Sequence, residues 1–131
     1  MEHVHLLVKA RVLNPPKTKK VINEWLKEMV EKIGMVVAAG PISSYVNQVG
    51  NLGITSAICI ETSHISLHGW DEEDPPLIQS DIYSCKNFDV DVALEHFKVF
   101  DIVKLEYIVI DRLTNETLRK GEIPNVNRTE R

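Results

Sequence analysis

The chain has 131 residues, of which 44% are hydrophobic and 26% charged, and its formal net charge is -4. Length and mix together describe one globular domain whose folding hides roughly 68% of the unfolded surface, and they exclude disorder, collagen and coiled coil for the chain as a whole. The negative balance removes the electrostatic footprint of a nucleic-acid binder, and no run of about 18 apolar residues offers a membrane span.

Residues 3–13, His-Val-His-Leu-Leu-Val-Lys-Ala-Arg-Val-Leu, are β-rich and partly alternating, which predicts a strand broken by Asn14-Pro15-Pro16. From Lys17 to Gly34 the apolar residues Val21, Ile22, Trp25, Leu26, Met29, Val30 and Ile33 form one stripe opposite a Lys/Glu face. That spacing predicts an amphipathic helix capped by Gly34. Met35–Ala39 reads as a second strand, closed or bent by Gly40-Pro41, and 41–53 as a loop or poorly defined strand.

Ile54–Glu61 is a third, mostly apolar strand in which Cys59 is expected to join the core, and Ile65–Trp70 is a fourth. Asp71-Glu72-Glu73-Asp74-Pro75-Pro76 cannot enter a sheet interior and reads as a loop. Ile78, Ser80, Ile82 and Ser84 alternate with Gln79, Asp81, Tyr83 and Cys85, which predicts a fifth strand. Asp89 or Asp91 can cap a second helix to about Phe100, with Val90, Ala93, Leu94 and Phe97 inward. Lys104–Arg112 is the last expected strand, with Leu105, Tyr107 and Val109 on one side.

Residues 1–112 thus read as a single domain and 113–131 as a polar C-terminal tail, mobile from Thr114. The element order predicts an α+β two-layer sandwich: a mainly antiparallel sheet with two helices on one face. A dimer is an economical cover for the other face. The first residues lack a basic region followed by a long apolar stretch, so no secretory signal is expected. Two cysteines, Cys59 and Cys85, make no disulfide framework. A reduced, cytoplasmic setting is the expectation.

Chemistry-bearing residues concentrate between Thr55 and Cys85. A metal site from His64, His68 and Cys85 fails on spacing, because strand residues four apart lie about 13 Å apart while each ligand must approach within about 2 Å. His3 and His5 share a strand face, yet no metal is expected. Ser63 with His64 or His68 is a possible nucleophile–base pair of low specificity, and no G-x-S-x-G elbow is present.

The segment Ile60-Glu61-Thr62-Ser63-His64-Ile65-Ser66-Leu67-His68-Gly69-Trp70, followed by Ser80-Asp81-Ile82-Tyr83-Ser84-Cys85, resembles the prokaryotic S-adenosylmethionine decarboxylases. That family typically shows Glu-Ser-His-apolar-x-apolar-His-Thr-Trp-Pro-Glu, and then a strand ending Asp-apolar-aromatic-Thr-Cys. Gly53-Ile54-Thr55 is similar to the family's Gly-Val-Ser/Thr.

The resemblance implies an enzyme whose cofactor is a pyruvoyl group derived from Ser63. Ser63 would attack the carbonyl of Thr62 and convert the peptide bond to an ester. Thr55 matches a hydroxyl position that assists processing, and His68 would take the Ser63 α-proton so that the ester breaks. The chain would be cut between Thr62 and Ser63. A ketone beside an amide can condense with the substrate amine and accept the electrons left by departing carbon dioxide. Cys85 would return a proton to the substrate α-carbon. S-adenosylmethionine is the implied substrate, decarboxylated for polyamine (spermidine) synthesis, with Glu61, Trp70 and Glu72 as substrate-binding candidates; the dimer expected from the uncovered sheet face would be a homodimer.

The chain also departs from the pattern. Thr62 stands where the family has Glu before the serine, with Glu61 one place earlier. The family's Thr-Trp-Pro-Glu is Gly69-Trp70-Asp71-Glu72. Before residue 53, where the family places an aromatic ring, stand Val46, Val49 and Leu52, with Tyr45 the nearest ring. These departures bear on substrate identity and on self-processing. The competing readings are a non-processing homologue acting as a small-molecule-binding or partner subunit, a related decarboxylase of a basic amino acid such as arginine, and an ACT-like regulatory module.

Overall fold

The computed structural model describes residues 3–125. Strand β1 spans Val4–Val12 with strictly alternating burial. Helix α1 spans Lys19–Lys32, and the Thr18 side chain caps it by accepting from the Val21 N–H at 3.2 Å. Gly34 follows the helix with φ +74°, the left-handed conformation that glycine adopts without penalty. The stripe buries Ile22, Trp25, Leu26, Met29 and Val30, while Val21 stays 47% exposed at the stripe's edge. Each buried aliphatic or Met side chain contributes roughly 1.5–3 kcal/mol relative to exposure.

Strand β2 spans Val37–Val46, longer than the expected Met35–Ala39. The chain continues through Gly40-Pro41 because β2 is an edge strand, where proline costs no ladder bond, and it absorbs the irregularity as register shifts against its neighbour. Strands β3 (Gly53–Ile60), β4 (Ser63–Trp70) and β5 (Leu77–Ser84) form a meander. Asp89 caps α2 (Val90–His96) through both the Asp91 and Val92 N–H groups, and a 3-10 turn extends it from Phe97 to Phe100. Strand β6 spans Ile102–Asp111.

The expected mobile tail is corrected in part. Residues Glu116–Pro124 form a seventh strand, β7, paired antiparallel with β6. Its sequence hides this because backbone pairing holds it: most of its side chains stay exposed. Only Ile123 packs on the core, while Arg119 ties it to Tyr107 (3.1 Å) and Asp91 (2.7 Å). Residues 126–131 of the expected tail lie outside the described residues.

Among the described residues seven strands form one antiparallel sheet in the order β2-β3-β4-β5-β1-β6-β7. One face carries Leu6, Val8, Ile58, Ile65, Leu67, Ile82 and Leu105 into a single core with both helices. Trp25 joins the helices by stacking on His96 at 4.7 Å and meeting Phe97 edge-on at 5.0 Å. The fold is therefore the expected α+β sandwich with both helices on one face. Among the described residues the opposite face carries no helix, and period-two alternation puts Thr55, Cys59, His64, Ser66, His68, Asp81 and Tyr83 there. Cys59 is accordingly exposed, not in the core, because its alternation partners Ile58 and Ile60 take the inner positions.

Candidate functional site

The β3–β4 turn presents the Thr62-Ser63 bond. The Cys85 backbone N–H donates to the Thr62 carbonyl oxygen at 3.0 Å, continuing the β4–β5 ladder one step past the Ser63–Ser84 pair. The carbonyl that Ser63 would attack is thus held and polarised by the residue that follows β5. Ser63 adopts φ +156°, a value rare for a residue with a side chain. Its Oγ lies 3.2 Å from His64 Nδ1. Cys85 is a free, half-buried cysteine.

Thr62 turns inward. Its hydroxyl accepts from the fully buried Ser84 Oγ at 2.9 Å and donates to Met35 Sδ at 3.4 Å. The Lys86 N–H in turn donates to Ser84 Oγ. The Thr62 hydroxyl is thus both acceptor and donor in this chain. Glu61 is exposed on the turn.

Thr55 and His68 face each other across β3 and β4, with Thr55 Oγ1 2.6 Å from His68 Nδ1. They sit at the other end of β4 from Ser63. Five strand residues span roughly 16 Å, so His68 cannot reach Ser63 of its own chain. The expected set therefore divides into two clusters, Thr62, Ser63 and Cys85 at one end and Thr55, His68 and Trp70 at the other.

Thr55, His68 and Trp70 line a cleft of about 280 Å³ together with Val46, Asn51 and Gly53. Above it, Tyr45 Oη donates to Asp71 Oδ2 at 2.6 Å, and the Glu72 carboxylate accepts from the Gly50 N–H at 2.9 Å. The neighbouring carboxylate bond pushes the Tyr45 phenol up to about 12, with burial and the charges of Asp71 and Glu72 adding to it. Asp71 Oδ1 is buried without a hydrogen-bond partner. Glu72 thus pins the 46–53 loop, and Val49 projects from that loop 97% exposed.

A further polar group on the open face lies outside the sequence motif. His3 Nδ1 lies 2.6 Å from Tyr83 Oη, and His5 Nε2 lies 2.9 Å from Asp81. The His5 hydrogen bond holds the Asp81 carboxyl below its ordinary range, against the opposing effect of burial. Alternation of Tyr83 and Asp81 with the inner Ile82 and Ser84 was the available signal. Among the described residues no cluster of three or more His, Cys, Asp or Glu side chains could hold a metal ion, and no helix is long and apolar enough to cross a membrane.

The structure thus joins an antiparallel sheet backed by two helices to a Ser-bearing turn whose preceding carbonyl accepts from a cysteine backbone N–H. Residues 5–113 match the family model of S-adenosylmethionine decarboxylase. The match covers well over half of the chain, and the chain belongs to that family. No curated protein matches it.

Proposed function

We propose that the chain is a self-processing, pyruvoyl-dependent decarboxylase, acting on S-adenosylmethionine for polyamine (spermidine) synthesis in the cytoplasm. The observation that carries this reading is the Cys85 N–H on the Thr62 carbonyl beside Ser63. Attack by Ser63 Oγ puts negative charge on that carbonyl oxygen, and a preorganised backbone donor stabilises charge where it develops. The Thr62 C–N bond then breaks, leaving an ester on Ser63 Oγ and a free Ser63 amine. Loss of the Ser63 α-proton expels the Thr62 carboxylate, and water converts the remaining enamine to the pyruvoyl group with release of ammonia. A pyruvoyl carbonyl supplies the electron sink for decarboxylation, and Cys85, whose backbone N–H meets the Thr62 carbonyl, is the residue that would return a proton.

The α-proton needs a base, and His68 is roughly 16 Å away in the same chain. A second copy laid on the open sheet face about a two-fold axis exchanges the ends of β4. It brings the partner's His68 and Thr55 to the turn bearing Ser63 and Cys85. The working unit is accordingly a homodimer with two shared sites, each holding a small-molecule substrate. Glu61, exposed on the turn, and Trp70, in the cleft with His68, supply substrate contacts from the two sides.

One observation favours a second reading. The residue immediately before Ser63 is Thr62, with its hydroxyl committed to Ser84 and Met35, so the carboxylate at that place in the family is missing. A non-processing homologue that binds a small molecule or a partner subunit would carry such a change. Denaturing intact-mass spectrometry separates the two. Fragments 1–62 and 63–131, the second with a blocked N-terminus, are the expected result, with Ser63→Ala remaining whole. A wild-type chain that stays intact on incubation overturns the proposal. For the processed enzyme, carbon dioxide release from S-adenosylmethionine is the expected activity, and release from arginine instead would reassign the substrate.

A further inference from the structure

We infer that His64 is the general base that starts self-cleavage, an inference that rests on the proposed processing at Ser63. Attack on the Thr62 carbonyl requires Ser63 Oγ to lose its proton, and a hydroxyl is a weak nucleophile without a base in contact. Among the described residues, the one side chain within hydrogen-bond distance of Ser63 Oγ is His64, through Nδ1 at 3.2 Å. His68 sits at the far end of β4, bonded to Thr55.

The contact is not what a regular strand provides. Neighbouring strand residues point to opposite faces, and here Ser63 would follow Ile65 and Leu67 inward while His64 faces out. The φ of +156° at Ser63 departs from regular strand geometry where its Oγ meets the next side chain. His64 is in turn braced: its ring meets Tyr83 edge-on at 5.9 Å, and Tyr83 Oη lies 2.6 Å from His3 Nδ1. With its proton on Nε2, the His64 ring leaves Nδ1 free to accept.

The step balances within these groups. Ser63 Oγ–H passes its proton to His64 Nδ1 as the Oγ–C(Thr62) bond forms. When the tetrahedral centre collapses, the Thr62 C–N bond breaks and the Ser63 nitrogen takes the proton back from His64. Nothing is oxidised or reduced, and His64 is regenerated. His64 thus serves the first step, and His68 the later removal of the α-proton.

The two steps are separable by hydroxylamine, which cleaves an ester and leaves a peptide bond. In freshly purified full-length protein, His64→Gln and His64→Ala should cleave about 100-fold or more slowly than wild type. Their uncleaved chains should stay whole in hydroxylamine by intact mass. His68→Gln chains should instead be cut by hydroxylamine between residues 62 and 63. His64 is exposed, so far-UV circular dichroism should match wild type, and added imidazole should restore cleavage of His64→Ala. If both His64 variants cleave as fast as wild type, or stall as hydroxylamine-sensitive esters, His64 is not the base. If wild type itself never cleaves, the processing reading falls and this inference with it.

Discussion

Thr55 Oγ1 lies 2.6 Å from His68 Nδ1, across the β3–β4 register and at the opposite end of β4 from Ser63. If His68 Nδ1–H donates to Thr55, the Nε2 lone pair is turned outward, free to take a proton. Thr55 then fixes the ring's orientation and tautomer. Thr55→Val keeps the shape and removes the acceptor. Loss of one hydrogen bond of about 1–1.5 kcal/mol should slow α-proton removal about tenfold. The hydroxylamine-sensitive ester should accumulate while its formation rate is unchanged. Thr55→Ser should behave as wild type, and an unchanged ester lifetime in Thr55→Val would show that the ring is held by something else.

The division of the site along β4 makes a sharper demand. A chain carrying Ser63→Ala still offers His68, and a chain carrying His68→Ala still offers Ser63. Expressed apart, neither should give a complete cleavage. Co-expressed as a mixed dimer, the His68→Ala chain should be cut, because its partner supplies the base. Absence of the 1–62 fragment in isolated mixed dimers would place the whole reaction within one protomer.

Much of this fold is legible in the sequence. The stripe from Ile22 to Ile33 dictated α1, and the alternation of Ile78, Ser80, Ile82 and Ser84 dictated which face of β5 is inward. Strand β7 was not legible, because Glu116–Pro124 is held by backbone pairing with β6 and buries little of its own surface. The extent of β2 was hidden because an edge strand tolerates Gly40-Pro41 and exposed serines. The motif names the candidate site residues but carries no sign of how far apart β4 holds them. The strand arithmetic that rules out His64 and His68 as joint ligands also parts Ser63 from His68.

Gly53 opens β3 with φ +152°, and a Cβ there would lie 2.1 Å from the Gly69 carbonyl oxygen. Backbone, not a flexible side chain, would have to move. Gly53→Ala should therefore cost about 2–3 kcal/mol, read as a lowered midpoint in urea with an unchanged slope. The displaced strands are those that align Thr55 with His68, so ester breakdown should slow as well. Gly50, whose added Cβ meets nothing within 4 Å but whose φ is +90°, is the comparison. Gly50→Asn should cost far less, since Asn tolerates the left-handed region.

The Tyr45–Asp71 bond gives a pH signature to the wall above the Thr55–His68 cleft. The Asp71 carboxylate accepts from the phenol at 2.6 Å and holds its pKa near 12, against an ordinary 10. Because the folded-state value is raised, the bond's contribution to stability is full below about pH 10. It is lost as pH rises through about 12. An ultraviolet difference titration of the three tyrosines should show one ionising near 12. In Asp71→Asn that step should move down toward 10, since the charge and the charge-assisted bond both go. Wild type should exceed Tyr45→Phe in stability by the same margin from neutral pH to about 10, and the margin should shrink above it. A Tyr45 step that stays near 12 in Asp71→Asn would assign the shift to burial instead of to Asp71.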